Sequence, residues 1–225
     1  MQDAVINQIA NLLSEFFKAI NNLYKTGVLE DLRKIISEII RKLCKEGLYQ
    51  ALEYESILEL MDAKGLKARF CKREKIRYLQ DNTIAFQDQA WGDGKILVDY
   101  DCSPGFPADR YRSGNKTFVL ISLRGVKNRG DIDEFSIKWK ILKGFLKKNG
   151  YWGTEISHDT VHVKSQIIFP KARPPKRVGI LEKNRQRTYG LDRESFRQLP
   201  DERWVVTWEK NKPDLYEQYV MNWEW

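Results

Sequence analysis

The sequence has few of the features that membrane anchors, disulfide frameworks and secretion require. No apolar run approaches the roughly 20 residues of a membrane-spanning helix, and the first residues lack the basic and apolar regions of a signal peptide. The three cysteines, Cys44, Cys71 and Cys102, are widely spaced and include no CxxC pair. These absences predict a cytoplasmic protein with no membrane association, no disulfides and no cysteine-based zinc site.

Motifs for nucleotide binding and hydrolysis are missing as well. The patterns GxxxxGK[ST], GxGxxG, HExxH and GxSxG do not occur. The two histidines, His158 and His162, fall in a predicted turn and the strand after it, where four residues span over about 13 Å. We therefore expect no catalytic residue, no metal site and no cofactor.

One pair of carboxylates leaves an enzymatic alternative open. Asp99 and Asp101 project from the same side of a predicted strand, and Asp109 follows shortly after. Paired carboxylates can hold Mg²⁺ in nucleases, and Glu182-Lys183 or Glu209-Lys210 could supply a further carboxylate and a lysine. A solvated strand face is the simpler interpretation, so a metal-dependent nuclease is kept only as an alternative.

Charge changes sign along the chain. The 225 residues carry a net charge of +8. Residues 1–63 contain seven Lys/Arg against ten Asp/Glu, whereas the remainder contains 32 against 21. A segment of net −3 followed by one of net +11 indicates two parts with different partners.

Apolar residues at spacings of three and four predict three helices at the N-terminus. The first ends at Gly27, the second ends at Gly47, and the third covers about 48–61. We predict a three-helix bundle over residues 1–66, followed by a basic linker at 67–77. The wide apolar stripes of the first two helices form the bundle core or, alternatively, mediate self-association or bind another protein through residues 1–63.

Beyond residue 78 the apolar period changes to two. Turn residues separate seven predicted strands, which lie at 96–102, 118–123, 135–141, 160–169, 177–181, 204–209 and 215–225. We predict an antiparallel β-sandwich or barrel-like domain over 78–225, and an α+β fold class for the whole chain. Four tryptophans lie on the last two strands, which could pair as a hairpin: Trp204, Trp208, Trp223 and Trp225. We expect them to pack in the core, with a ligand-stacking platform as the alternative.

Basic residues are concentrated within one stretch of the β domain, where Glu182 is the only acidic residue between the first and the last of them. Such a stretch could bind a phosphate backbone with an aromatic residue stacking on a base, or bind an acidic protein partner. The alternative is a merely solvated sheet face. The candidate binding residues are Lys171, Arg173, Lys176, Arg177, Lys183, Arg185, Arg187 and Tyr189.

Four short segments carry a resemblance to a known type of module: 100–105 (YDCSPG), 120–124 (LISLR), 173–177 (RPPKR) and 222–225 (NWEW). With these, residues from about 76 to 225 resemble a poorly characterised β-rich module of bacterial, especially cyanobacterial, regulatory or defence-type proteins. The resemblance implies an accessory, sensing or scaffolding role, with the N-terminal segment as an adaptor to an effector. It implies no catalytic residue and no ligand.

We therefore expect a non-catalytic interaction or adaptor protein, as an accessory or sensing component of a bacterial regulatory or defence system. Binding of nucleic acid through the basic and aromatic surface is the first alternative. The metal-dependent nuclease is the second.

Overall fold

The computed structural model describes residues 47–225, and the first two predicted helices lie outside the described residues. Within this part of the chain, fourteen strands are joined by turns and one short 3-10 turn at Arg193–Ser195. The strands are β1 (Tyr49–Leu60), β2 (Lys67–Tyr78), β3 (Thr83–Ala90), β4 (Lys95–Ser103), β5 (Phe106–Ser113), β6 (Lys116–Lys127), β7 (Ile132–Leu142), β8 (Asn149–Glu155), β9 (His162–Phe169), β10 (Arg177–Glu182), β11 (Arg187–Gly190), β12 (Phe196–Gln198), β13 (Trp204–Asn211) and β14 (Gln218–Glu224).

The strands form three sheets. The largest has seven strands in the order β12-β13-β9-β1-β2-β7-β4, the second has four in the order β11-β10-β14-β8, and the third has three in the order β3-β6-β5. Strands β1 and β9 run parallel, and the other neighbours run antiparallel. The prediction of a β-rich domain is therefore confirmed, although it is not purely antiparallel.

The prediction of an N-terminal three-helix bundle, and with it the α+β fold class, is wrong. The third predicted helix, 48–61, is strand β1 at the centre of the seven-stranded sheet. Its partner β2 pairs with it from Tyr49↔Tyr78 to Leu60↔Ala68, with a register shift between Ala51 and Glu53. That irregularity interrupts the alternation of side chains, and the apolar residues Leu52, Ile57, Leu58 and Met61 were assigned to one face of a helix instead.

The predicted basic linker, 67–77, is also a strand. In β2 the buried and exposed residues alternate, with Phe70 and Ile76 facing inward and Arg69 and Arg77 facing outward. The turn before it is closed by the carboxylate of Asp62, which accepts hydrogen bonds from the backbone N–H groups at positions 64, 66 and 67. The structure thus places the basic residues of this segment, other than the buried Lys72, on the outer face of a central strand.

Aromatic residues join the three sheets through a shared core. Phe86 of the three-stranded sheet stacks on Phe135 of the seven-stranded sheet, with ring centroids 4.1 Å apart. Phe169 meets the ring of Trp223 in the four-stranded sheet edge-on at 5.6 Å. Trp208, Trp223 and Trp225 are each no more than 5% exposed, as predicted for core residues, whereas Trp204 is only partly buried against that core. Strands β13 and β14 belong to different sheets and form no hairpin.

Candidate binding site

An aromatic cleft lies beside β8, where the four-stranded sheet meets the turn before β4 and the loop after β7. Its cavity measures about 170 Å³. We call it the aromatic cleft, and its principal lining residues are Trp91, Ile96, Phe145, Leu146, Tyr151 and Trp152. An apolar cavity of about 150 Å³ holds a benzene molecule, so the cleft has room for one phenyl-sized group.

The inner wall of the aromatic cleft is rigidly packed. The ring centroid of Trp152 lies 4.9 Å from that of Phe70 and 5.9 Å from that of Trp139. Phe145 closes the other side, 5.7 Å from the ring of Trp223. Because these rings belong to the core, the wall is held in place without a ligand.

Glycines bring the two loops around the aromatic cleft close to the sheet. Gly65 has a φ of +70°, and a side chain there would overlap the carbonyl group of Phe145. Gly94 has a φ of +76°, and a Cβ atom there would overlap the carbonyl oxygen of Leu142. Larger residues at either position would therefore push the loop at 143–146 away from its present position.

The rim of the aromatic cleft carries more positive than negative charge. Lys143 and Lys147 line it together with Asp93, and all three side chains belong to exposed residues. Leu146 is 53% exposed and Tyr151 is 48% exposed at the same rim. Burial and the nearby Asp93 carboxylate raise the pKa of Tyr151, so its phenol stays neutral at physiological pH. The rim is suited to a ligand with both an apolar and an anionic part.

A second, smaller cavity of about 50 Å³ lies on the other side of Trp91. It contains three buried charged side chains, which we call the Lys72 cluster: Lys72, Glu74 and Asp88. The Lys72 Nζ atom lies 2.5 Å from a carboxylate oxygen of Asp88 and 3.0 Å from one of Glu74. The Tyr100 hydroxyl donates to the other Asp88 oxygen at 2.9 Å. Each charged group of this cluster therefore has a partner inside the protein.

Electrostatics favour the protonated form of Lys72. Burial alone would lower the pKa of Lys72, but the Asp88 and Glu74 carboxylates outweigh it and hold that pKa well above its ordinary value. Burial and the Asp88 carboxylate raise the pKa of the Tyr100 phenol in turn. The close pairing of Lys72 with two carboxylates favours a structural ion network.

His158 lines the cavity of the Lys72 cluster. Its ring stacks on Tyr49 with a centroid distance of 4.0 Å, and its Nδ1 atom lies 3.1 Å from the Ser157 hydroxyl. Burial, with a contribution from the Lys72 charge, lowers the pKa of His158 to about 4. The carboxylate of Asp159 instead accepts a hydrogen bond from Gln50 at 2.8 Å. Ser157 and His158 are thus in hydrogen-bond contact, whereas Asp159 is bonded to Gln50.

The predicted basic stretch is spread over loops and strands, and many of its charges have intramolecular partners. Lys171 pairs with Glu202 and Arg185 with Asp214, both at 2.6 Å. Arg187 lies 3.4 Å from the buried Glu182 and its guanidinium lies 5.4 Å from the centre of the Tyr189 ring.

The other basic residues of this stretch differ in exposure. Arg173 stacks on Trp225, 3.7 Å from the ring centroid, and donates hydrogen bonds to the carbonyl groups of Ala63 and Lys147. Lys176, Arg177 and Lys183 are exposed, and the first two lower the pKa of Glu224, after the larger effect of Lys148. Binding of nucleic acid or an acidic partner by this stretch stays a prediction.

The two aspartates of the nuclease alternative lie on the outer face of β4. Asp99 and Asp101 are exposed and pair with lysines of β7, Lys140 at 2.7 Å and Lys138 at 3.3 Å. Within residues 47–225, no three His, Cys, Asp or Glu side chains come together in a group that could hold a metal ion.

The same part of the chain contains no helix that is both long and apolar enough to span a membrane.

The sequence did not reveal either cavity. Residues 91–93 and Asn149-Gly150 all line the aromatic cleft, but they fall between the strands that the sequence predicts. The Lys72 cluster was hidden because Lys72 and Glu74 were assigned to a linker. An available signal was the alternation of β2, in which Ala68, Phe70, Ile76 and Tyr78 share one face with these two charges.

Comparison with known proteins identifies no family. No protein-family profile and no curated protein sequence matches the chain. Among solved structures, the fold is similar to the crystal structure of a candidate protease from Parabacteroides distasonis ATCC 8503, with 9% identity and a TM-score of 0.47. The similarity covers 79% of this chain and 40% of that chain, so this chain spans less than half of the length of that protein. At this level of similarity no activity transfers.

Proposed function

We propose that residues 47–225 form a non-catalytic binding module that takes an apolar side chain of an acidic protein partner into the aromatic cleft. The observation that carries this proposal is the preformed cavity of about 170 Å³ beside Trp152 and Phe145. Partner side chains that fill such pockets contribute most of the affinity at many protein interfaces. The proposal keeps the expectation of an interaction protein and moves its contact surface to the β domain.

The charge of the rim supports an acidic partner. Lys143 and Lys147 lie at the edge of the cavity and face one carboxylate, that of Asp93. Lys148 adjoins them but pairs with Glu224 at 3.0 Å. Complementary charge at a rim mainly raises the association rate and selects the partner, whereas the apolar group supplies the affinity.

The experiment uses the full chain and a fluorescein-labelled, end-capped pentapeptide, Asp-Glu-Phe-Glu-Asp, followed by fluorescence anisotropy. Burying a phenylalanine side chain contributes roughly 1.5–3 kcal/mol. The matched peptide with alanine at the centre should therefore bind about tenfold or more weakly. Equal affinity of the two peptides, or no binding of either, would count against the proposal.

Variants of the rim locate the site. Leu146→Asp places a negative charge at the mouth of the cleft and should weaken binding strongly, whereas Ile132→Asp, at a comparably exposed apolar residue (53% against 48%), should not. The double variant Lys143→Gln and Lys147→Gln should weaken binding and reduce its dependence on salt. Lys176→Gln and Lys183→Gln, in the basic stretch, serve as the control. If that control pair weakens binding more, the site lies on the basic stretch instead.

A further inference from the structure

Among residues 47–225, strand β8 forms a free edge of its sheet beside the aromatic cleft. It is the last strand of the four-stranded sheet and pairs with β14 alone among the described residues. Five consecutive residues of β8, 149–153, line the cleft. A sheet edge of this kind offers unpaired N–H and C=O groups to another strand.

The pattern of hydrogen bonds between β8 and β14 shows which backbone groups of β8 face outward. The N–H of Trp225 donates to the carbonyl of Lys148 at 3.3 Å, and the N–H of Ile156 donates to the carbonyl of Glu217 at 3.0 Å. Both bonds fit the register Trp223↔Gly150 without a shift. Hydrogen-bonded pairs recur at every second residue of an antiparallel ladder. Positions 150, 152 and 154 therefore bond to β14.

The remaining positions, Asn149, Tyr151 and Gly153, direct their N–H and C=O groups away from β14. Among residues 47–225 none of these six groups has a backbone partner. Asn149 and Tyr151 are exposed, and Gly153 has no side chain of its own to cover the edge. The edge therefore has the spacing and the access that an added strand requires.

We propose that an extended acidic peptide segment adds a strand to the edge of β8 and inserts one side chain into the aromatic cleft. This inference rests on the proposed function and names its binding mode. A strand placed beside β8 continues the sheet, so its alternate side chains point to the side of the sheet on which Trp152 packs. Lys143 and Lys147 then lie near the acidic residues that flank the inserted side chain.

The edge carries few of the features that block such pairing. Proline and bulges protect edge strands from foreign strands. Strand β5, an edge of the three-stranded sheet, has both, with Pro107 and a register shift between Pro107 and Asp109. Strand β8 contains no proline and pairs with β14 in an unshifted register. The contrast favours β8 as the edge that accepts a partner.

The test is a backbone scan of the acidic phenylalanine pentapeptide against the unmodified full chain. Each peptide nitrogen is methylated in turn, which removes one N–H donor and adds bulk but leaves the side chains intact. In an added strand only every second N–H faces β8, so affinity should fall about tenfold or more at alternate positions and change little at the others.

A matched pair of protein variants tests the same edge from the other side. Tyr151→Pro removes an outward N–H that β14 does not use, and proline is tolerated at such edge positions. Tyr151→Ala removes the same side chain but keeps the N–H. The proline variant should bind the peptide several-fold more weakly than the alanine variant, with circular dichroism showing that both are folded.

The outcomes separate this inference from the proposed function. Alternating sensitivity to methylation supports the added strand. Uniform tolerance of methylation, with the phenylalanine still required, overturns the added strand and leaves the proposed function standing. No binding of the phenylalanine peptide overturns both. If sedimentation shows that a second copy of the chain occupies the edge of β8 and the peptide does not displace it, the inference is also wrong.

Discussion

Trp91 lines two cavities that differ in almost every property that matters for function. The aromatic cleft holds about 170 Å³ of space, and the cavity of the Lys72 cluster holds about 50 Å³. In the cleft, aromatic side chains pack tightly behind an unfilled space. In the Lys72 cluster, three charges and a phenol are satisfied by one another.

The comparison distinguishes a buried ion network from an aromatic cleft that opens to the surface. Ionisable groups with shifted pKa values often mark active sites, but structural ion networks shift pKa values as well. Here the Asp88 and Glu74 carboxylates raise the pKa of Lys72 and favour its charged state, as a structural ion network does. The cleft has no such group at its floor, yet it has the space and the free edge that binding requires.

The largest effect on the free energy of unfolding is expected when the Lys72 cluster loses its lysine. Lys72→Met leaves Glu74 and Asp88 buried without a cation, which should lower the free energy of unfolding by about 3–5 kcal/mol in urea denaturation. As a control, Lys171→Met removes a lysine whose ion pair with Glu202 is more than half exposed on both sides, and should change it by less than about 1 kcal/mol.

A triple variant distinguishes the loss of a cation from the loss of packing. Lys72→Met with Glu74→Gln and Asp88→Asn removes all three charges, and part of the stability should return, because no unpaired charge stays buried. If the triple variant is no more stable than Lys72→Met alone, the ion network is not what the single substitution breaks.

The stability of the protein should be sensitive to added volume at the aromatic cleft. A Cβ atom at Gly150 would overlap the ring of Trp223, so Gly150→Ala should destabilise the fold by about 1–3 kcal/mol through overpacking. Gly125→Ala is the matched control, because a Cβ atom there meets nothing within 4 Å. Thermal unfolding measures both, and equal melting temperatures would show that the Trp223 ring can move aside.

Much of the β domain was predictable because its inward rows are apolar without interruption. Phe135, Ile137, Trp139 and Ile141 of β7 are all buried and alternate with exposed residues, so a period of two is evident in the sequence. All seven predicted strands, from β4 to β14, lie where strands occur. The core positions of Trp208, Trp223 and Trp225 were likewise evident from their size and apolar character.

Strands β1 and β2 were not predictable because their inward rows contain polar residues or an irregularity. Lys72 and Glu74 occupy inward positions of β2, and only the third member of the cluster, Asp88 on β3, makes their burial tolerable. Nothing local in the sequence connects these residues. The aromatic cleft was missed for a similar reason, since it depends on how turns at 91–94 and 143–146 approach β8 in space.

A moderate effect should appear when His158 is protonated. Because burial holds its folded-state pKa near 4, below the unfolded value of about 6.5, the unfolded state binds more protons between these pH values. Stability should therefore fall as the pH decreases from 6.5 toward 4, and level off below that for this group. The stability difference between pH 7 and pH 5 should be larger, by about 2 kcal/mol, in the parent than in His158→Phe.

The comparison of pH dependence must be made between the two proteins, since carboxylates titrate in both. Urea denaturation at pH 7, 6 and 5 gives the two stability curves. Phenylalanine keeps a ring against Tyr49 but carries no titratable group. Parallel curves would show that His158 becomes protonated in the folded protein without a cost in stability.

The smallest effect on stability is expected for an ion pair that is exposed, in contrast to the buried Lys72 cluster. Asp101 pairs with Lys138 at 3.3 Å, and the two side chains are 67% and 56% exposed. Asp101→Asn should change the free energy of unfolding by less than about 0.5 kcal/mol, and less still in high salt, because water and ions screen the pair. The same variant tests the nuclease alternative, since a Mg²⁺ site at Asp99 and Asp101 predicts metal-dependent cleavage of a labelled oligonucleotide that Asp101→Asn abolishes. A large loss of stability, or loss of such a cleavage activity, would show that these carboxylates are more than a solvated face. If the free energy of unfolding changes negligibly, burial is the property that decides how much an ion pair of this protein contributes to stability.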